Sequence, residues 1–309
     1  MNHQLLQVRK FVLRFVFLLF ILVIVDFIIG ATLKYYYFKI KSGTLSDITF
    51  AIDSTKAETL VFGSSHANHD YVPDVFRNRL HTSFYNCGSD ATGLVYEAAL
   101  LNAITARYKP KRILLDILPY EFSLDESDRL SKLLPYKDNP RIYPYLAQIS
   151  PYEHIKLLSQ SYPFNSLVTS VIIRNLRNNK QEASPAGYSP LTGTIDYPDT
   201  SVLQEKSKII YKKVAIFDNL LKRLDQLEIP VYVIISPLYI RSAQTESEKI
   251  TSKFCERYKN IHFVSFINDP KYLQNDEWFK DFGHLNNDGA TKFSHELSSY
   301  IINEETNNK

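Results

Sequence analysis

The chain reads as an α/β protein: a mostly parallel five-stranded sheet with helices on both faces, preceded by one N-terminal transmembrane helix. Three observations say so. From residue 59 onward, short apolar runs alternate with stretches of helical periodicity, the pattern of β-α-β units. Residues 15–33, FVFLLFILVIVDFIIGATL, are apolar except for Asp26. The composition, 45% hydrophobic and 22% charged, is that of a globular chain and excludes wholesale disorder.

The N-terminal run comes first. About 19 helical residues at roughly 1.5 Å each span about 28 Å, close to the thickness of a bilayer's hydrocarbon core. Lys34-Tyr35-Tyr36-Tyr37-Phe38-Lys39 follows, an aromatic and basic cluster of the kind found at a membrane boundary. A cleaved signal peptide is the competing reading, but the run is long for one and no small-x-small cleavage site follows. Asp26 is expensive at depth, so it snorkels or pairs with another membrane helix. Basic residues flank both ends (Arg9, Lys10 and Arg14 before, Lys34, Lys39 and Lys41 after), so charge alone does not set the orientation. The expected organisation is a tail over 1–14, a transmembrane helix over 15–33, a linker over 34–56 and a folded domain over 57–309.

Within that domain the expected strands are 59–62, 83–87, 112–116, 230–235 and 262–265. The expected helices are 72–80, 93–108, 202–227, 246–258 and 288–302, their apolar residues at helical spacing. Residues 123–200 break the rhythm. They are rich in Tyr and Pro, with one helix over 164–177 and a turn-rich stretch at 184–190. This is an insertion, either a lid or substrate platform or a passive excursion.

A net charge of +3 without a dense basic stripe gives no reason to expect nucleic acid as a partner. The two cysteines, Cys87 and Cys255, form neither a disulfide framework nor a metal-binding spacing. Two buried thiols are the default, and one disulfide is the alternative. The 21 Tyr and 19 Phe serve packing, or in part line a groove for sugars or acyl chains.

In a parallel sheet the working residues collect at the carboxyl ends of the strands. Gly63-Ser64-Ser65-His66 stands at the end of the first strand. Glycine lets the chain turn there, and a serine at the start of the next helix lies beside free N–H groups that can hold an oxyanion. Taken alone, such a serine as readily caps the helix. Asp281-Phe282-Gly283-His284 places an acid and an imidazole within one turn, where the carboxylate fixes the ring's tautomer and the ring acts as a general base. Taken alone, this is a surface turn. Together they supply nucleophile, base and acid. His66 and His69 lack metal-binding partners and read as loop or helix-start residues. Trp278 packs beside the Asp-His turn or walls an acyl pocket, and Asp116 is given no chemistry.

At Val61-Phe62-Gly63-Ser64-Ser65, Asn86-Cys87-Gly88 and Asp281-Phe282-Gly283-His284-Leu285-Asn286, running into Gly289-Ala290, the chain resembles the SGNH (GDSL-type) hydrolase superfamily, closest to its membrane-anchored cell-envelope members. The resemblance covers about 57–309, less the insertion. It implies a flavodoxin-like three-layer α/β/α domain. It also implies Ser65 as nucleophile, His284 as base, Asp281 as triad acid, and Ser65 and Gly88 as oxyanion donors, with Ala91 the alternative to Gly88. It implies no metal or organic cofactor. The family's third motif carries an asparagine, and here Tyr120 or Glu121 stands near that place. The expected function is an esterase or O-acyltransferase acting on an acylated envelope polysaccharide or a similar ester. The bilayer, through 15–33, and a membrane-bound acyl-transfer protein beside Asp26 are its partners, and the folded domain lies outside the cytoplasmic membrane. The rival expectation is a non-catalytic protein of the same fold that binds glycan and assists a membrane partner.

Overall fold

A computed structural model describes residues 2–125, 127–176, 185–196, 201–205 and 207–307. The chain divides into two compact units, one of residues 1–41 and 131–180, the other of 42–130 and 181–309.

The larger unit is built on strands β1 (Thr59–Phe62), β2 (Phe84–Asn86), β3 (Arg112–Asp116), β5 (Val231–Ile235) and β7 (Ile261–Ser265). They form one sheet in the order β2-β1-β3-β5-β7, every pair parallel. This is the flavodoxin-like order, whose crevice lies outside the carboxyl ends of the strands flanking the first one. β1, β3 and β5 are buried along their whole length. That is why they read as continuous apolar runs rather than alternating ones. A separate two-stranded parallel ribbon pairs β4 (Val202–Leu203) with β6 (Arg241–Ser242).

With α1 (Asn2–Tyr37) assigned to the smaller unit, the helices of the larger one begin with α2 (Thr44–Asp53), α3 (Ser65–Asp70), α4 (Pro73–Leu80) and α5 (Leu94–Thr105). Val61, Leu114, Tyr232 and Ile234 share a core with Phe76 and Leu80 of α4 and with Phe293, Leu297 and Ile301 near the C-terminus. The alternate residues Leu60, Phe62, Ile113, Leu115 and Val233 are equally buried and point to the opposite face by the two-residue period of a strand. The sheet is therefore covered on both sides.

The short helices α6 (Tyr143–Leu146) and α7 (Glu153–Lys156) and the helix α8 (Val168–Leu176) belong to the smaller unit. The larger unit continues with α9 (Tyr211–Gln226), α10 (Glu246–Cys255) and α11 (Asn287–Asn307). Three expectations are corrected. The helix expected over 202–227 starts only at Tyr211, because Val202–Leu203 is taken up by pairing with Arg241–Ser242. Part of the expected 34–56 linker is the helix α2, which buries Leu45, Ile48, Ala51 and Ile52. The expected transmembrane helix over 15–33 is the middle of a longer one, Asn2–Tyr37. Residue 177 of the helix expected over 164–177, residue 184 of the turn-rich stretch, and other parts of the expected insertion lie outside the described residues. Cys87 and Cys255 are both buried free thiols.

Glu121, expected near the third-motif position, is structural. It is buried, and its Oε1 accepts the N–H of Leu94, the first residue of α5, at 3.1 Å and Lys213 Nζ at 2.8 Å. A carboxylate at that end of a helix answers both its free N–H groups and its dipole. Lys213, also buried, further donates to the main-chain oxygens of Glu121 and of Leu124.

In the smaller unit, α1 exposes apolar side chains almost throughout, from Leu5 to Ile29. It is long and apolar enough to cross a membrane. Asp26 does not point into empty space along it. Its carboxylate accepts the hydroxyls of Ser159 at 2.7 Å and Ser161 at 2.5 Å and the N–H groups of Gln160 at 2.7 Å and Ser161 at 3.1 Å. All four of these donors come from the chain's own insertion.

Candidate active site

Gly63 ends β1 with φ 150°, and a Cβ there would stand 2.8 Å from Asp116 O. Only glycine makes this turn so close to β3. Ser64 follows as the residue before α3, and its side chain makes no capping hydrogen bond. Ser65 opens the helix, so its hydroxyl stands at the strand's carboxyl end and its N–H lies among the first of α3, which have no partner within the helix.

The other half of the site is a turn held from several sides. Phe279 and Leu285 pair as an isolated antiparallel bridge, and Lys280 N–H donates to His284 O at 2.9 Å. Leu285 N–H donates to the buried Asp70 Oδ1 at 3.2 Å. Asn286 Oδ1 accepts Gly289 N–H at the start of α11 at 3.0 Å, while its Nδ2 donates to Glu277 O at 2.7 Å. Inside the turn, Asp281 Oδ1 accepts the N–H groups of Gly283 at 2.9 Å and His284 at 3.0 Å.

These elements bring the three expected residues together. Ser65 Oγ lies 2.7 Å from His284 Nε2, and His284 Nδ1 lies 2.9 Å and 3.1 Å from the two carboxylate oxygens of Asp281. A carboxylate only accepts, so Nδ1 carries the proton and Nε2 presents its lone pair to the serine hydroxyl. Burial works against the charged form of Asp281. The His284 ring and the Gly283 and His284 N–H groups outweigh it and hold the acid at about 2. Asp281 is therefore ionised at any pH at which the ring is to be oriented.

Gly88 is a correction. Its N–H, expected to serve an oxyanion, donates to Asn86 Oδ1 at 2.8 Å. Asn86 Nδ2 in turn donates to Ala67 O at 2.6 Å, which ties the end of β2 to α3. The N–H of Ser65 and that of Ala91, the alternative to Gly88, are the expected donors that are left. Glu121 supplies no asparagine-like donor, since its carboxylate is held by Lys213 and Leu94.

Two histidines set aside in the sequence face this centre. The ring of His66 lies 5.3 Å from that of His284 and the ring of His69 lies 5.7 Å from it, both edge-on. Their surroundings push them in opposite directions. His69 donates Nδ1–H to Ser189 O at 2.6 Å, and its Nε2 lies 3.1 Å from Asp90 Oδ1. Burial lowers its pKa, but Asp90 and Ser189 outweigh burial and raise it. Both nitrogens thus face acceptors, as an imidazolium requires. His66 is fully enclosed, and burial, reinforced by the His284 ring, pulls it down to about 3. It is a neutral imidazole whose Nδ1 lies 2.9 Å from Ser236 Oγ at the end of β5. Asp90, Ser189 and Ser236, all remote in sequence, are the hydrogen-bonding partners of these rings.

Asp116 lies behind His66, with Nδ1 3.8 Å from its Oδ1 and Tyr71 OH donating to its Oδ2 at 2.5 Å. Burial raises its carboxyl to about 7 despite the hydrogen bonds from Tyr71 and Ser236. The folded state therefore holds this proton more tightly than the unfolded chain does, where a carboxyl titrates at about 4. The stabilisation is fully present below about pH 4 and is lost as pH rises to about 7. Asp116→Asn keeps an acceptor for Tyr71 and removes the ionisation. Its stability relative to wild type is expected to rise by about 1 kcal/mol per pH unit between about pH 4 and 7 and to level off above. Urea unfolding of the full chain in detergent, followed through the single Trp278, measures this. A pH-independent difference would show that Asp116 does not titrate in this window.

No family model matches the sequence, and no curated protein matches it. Solved structures are similar to it at a low level. One, provisionally described as a platelet activating factor from Streptococcus pneumonia, is 13% identical with a TM-score of 0.44, over 93% of this chain and 97% of that one. Another, provisionally described as a lipolytic protein of the G-D-S-L family from Desulfitobacterium hafniense, is 10% identical with a TM-score of 0.35, over 79% of this chain and 99% of that one. Likenesses this low add nothing to the site, and its chemistry has to be argued from the residues themselves.

Proposed function

We propose that this chain is a membrane-anchored serine esterase or O-acyltransferase of the SGNH type. Its substrate class is an acylated cell-envelope polysaccharide or a similar ester. The observation that carries the reading is the 2.7 Å approach of Ser65 Oγ to His284 Nε2, with Asp281 behind the ring. Supporting it are the flavodoxin-like strand order and the three motifs on which the resemblance rests.

In this reading Ser65 Oγ attacks the ester carbonyl carbon as His284 Nε2 takes the hydroxyl proton. The carbonyl oxygen becomes an oxyanion held by the N–H of Ser65. His69, whose protonated form Asp90 and Ser189 favour, adds positive charge near that oxyanion when it is protonated. His284 then gives its proton to the departing alkoxide, leaving an acyl ester on Ser65. Water or a sugar hydroxyl attacks that ester, His284 accepts its proton, and the proton returns to Ser65 as the acyl group departs. Which of the two nucleophiles arrives decides between hydrolysis and transfer. α1 spans the cytoplasmic membrane once, with the larger unit outside. No cofactor enters these steps.

A fluorophosphonate probe tests this, because it reacts only with an activated hydroxyl. Full-length protein in detergent is expected to carry one adduct, mapped to Ser65. An adduct on Ser64 would move the nucleophile by one residue. No adduct, with no ester turnover on p-nitrophenyl acetate, would favour the rival reading of a glycan-binding protein that keeps the fold without the chemistry. That rival draws on the missing third-motif donor.

A further inference from the structure

We infer that the segment Tyr152–Ser161 is a second membrane-contacting element, a wedge that carries Tyr152, Ile155 and Leu158 into the lipid beside α1. This rests on the reading of α1 as a membrane helix.

The argument starts from depth along α1. The aromatic and basic cluster that marks the expected boundary begins at Lys34, and Asp26 lies eight residues before it. At the rise of a helix this is about 12 Å toward the hydrocarbon. The insertion is fastened at both levels. Near the boundary, Lys34 pairs with Asp138 at 2.8 Å, Asn175 Nδ2 donates to Tyr36 O at 3.1 Å, and the rings of Phe164 and Tyr37 lie 5.8 Å apart. At the deeper level, Asp26 accepts the four donors of residues 159–161. One turn further along α1, Gly30 makes room for this segment, since a Cβ there would stand 2.2 Å from Gln160 C. The insertion thus reaches down α1 past the boundary.

What it presents there is mainly apolar. Tyr152, just before α7, Ile155, on it, and Leu158, just after it, are 69%, 56% and 76% exposed. Two polar residues share that surface, His154 and Lys156, both exposed, and long side chains of this kind reach toward headgroups from the edge of an apolar patch; the other polar groups turn inward. Glu153 is buried and takes the hydroxyls of Ser150 and Tyr162. The main-chain N–H groups of Gln160 and Ser161 are answered by Asp26. Irregular backbone at membrane depth is tolerated only when its polar groups are satisfied within the protein. An exposed apolar patch around a short helix, continuous with a membrane-spanning one, is what an interfacial anchor requires. Water as the neighbour would leave three large apolar side chains exposed and the Asp26 latch without purpose. A lipid neighbour accounts for both.

The test places a nitroxide, one at a time, at Leu158, Ile155, Ile21 in the middle of α1, and the exposed Glu256 of the larger unit. The full chain is reconstituted in phosphatidylcholine–phosphatidylglycerol vesicles. Cys87 and Cys255 are buried, and the labelled parent without an introduced cysteine serves as blank. Leu158 and Ile155 are expected to lose relaxation by a water-soluble nickel chelate and gain it from oxygen, as Ile21 does and Glu256 does not. Ile21 shielded from nickel with Leu158 as accessible as Glu256 would overturn the wedge and leave the α1 reading standing. Ile21 accessible to nickel would overturn both.

Discussion

Ser65→Ala and His284→Ala are each expected to lower ester turnover by about 10⁴- to 10⁶-fold, and the double variant is expected to lose no more than either one alone. The reason lies in the geometry. Nε2 and Oγ are 2.7 Å apart, and neither group has its role without the other, so removing either removes the same step. Asp281→Asn is expected to lose about 10⁴-fold, because an amide in place of the carboxylate lets Nδ1 become the acceptor and turns the proton toward the serine. Asp281 also holds its own turn through the N–H groups of Gly283 and His284. An Asn retains one such acceptor, so the fold survives and the loss is chemical. Initial rates on p-nitrophenyl acetate, with circular dichroism as the control for folding, decide the matter. Additive losses in the double variant, or a Ser65→Ala protein within a few-fold of wild type, would show that the three residues do not act as one unit.

How much of this was legible depends on how far each signal travels along the chain. The serine and the Asp-His pair that meet in the site were readable because each is a local motif, and because a parallel sheet sends the ends of β1 and the turn before α11 to one crevice. The strands were readable because burial on both faces leaves uninterrupted apolar runs. α2 was within reach. Leu45, Ile48, Ala51 and Ile52 keep helical spacing, but they are few, lie among polar residues and follow the membrane run, so the stretch reads as a spacer. The start of α9 was out of reach, because only pairing with Arg241–Ser242 turns Val202–Leu203 from helix into strand. The same holds for His66, His69 and Gly88. Each has its hydrogen-bond partner set by a group that the local sequence does not point to: the Ser236 hydroxyl for His66, the Asp90 carboxylate and the Ser189 main-chain oxygen for His69, the Asn86 side chain for Gly88. Residue identity alone carries none of that. Asp26 makes the point from the membrane side. An acid in an apolar run announces a partner, and only the folded insertion says that the partner is residues 159–161.

Lys213→Met is expected to destabilise the protein by about 3–5 kcal/mol. Lys213 and Glu121 are both buried, with Nζ and Oε1 2.8 Å apart. Removing the ammonium takes away the cation 2.8 Å from Oε1 and leaves an interior carboxylate that accepts the N–H groups of Leu94 at 3.1 Å and, more distantly, Leu118 at 3.4 Å. Burying an uncompensated charge costs more than the pair itself contributes, so the double variant Glu121→Gln/Lys213→Met is expected to recover much of the loss. Urea midpoints followed through Trp278 measure both. The same pair separates structure from chemistry at the place where the resemblance expects an asparagine. If Glu121 only caps α5 and anchors α9, the folded double variant reacts with the fluorophosphonate at the wild-type rate. A folded double variant with a much slower reaction would return Glu121 to the site, as a group that helps to hold the oxyanion.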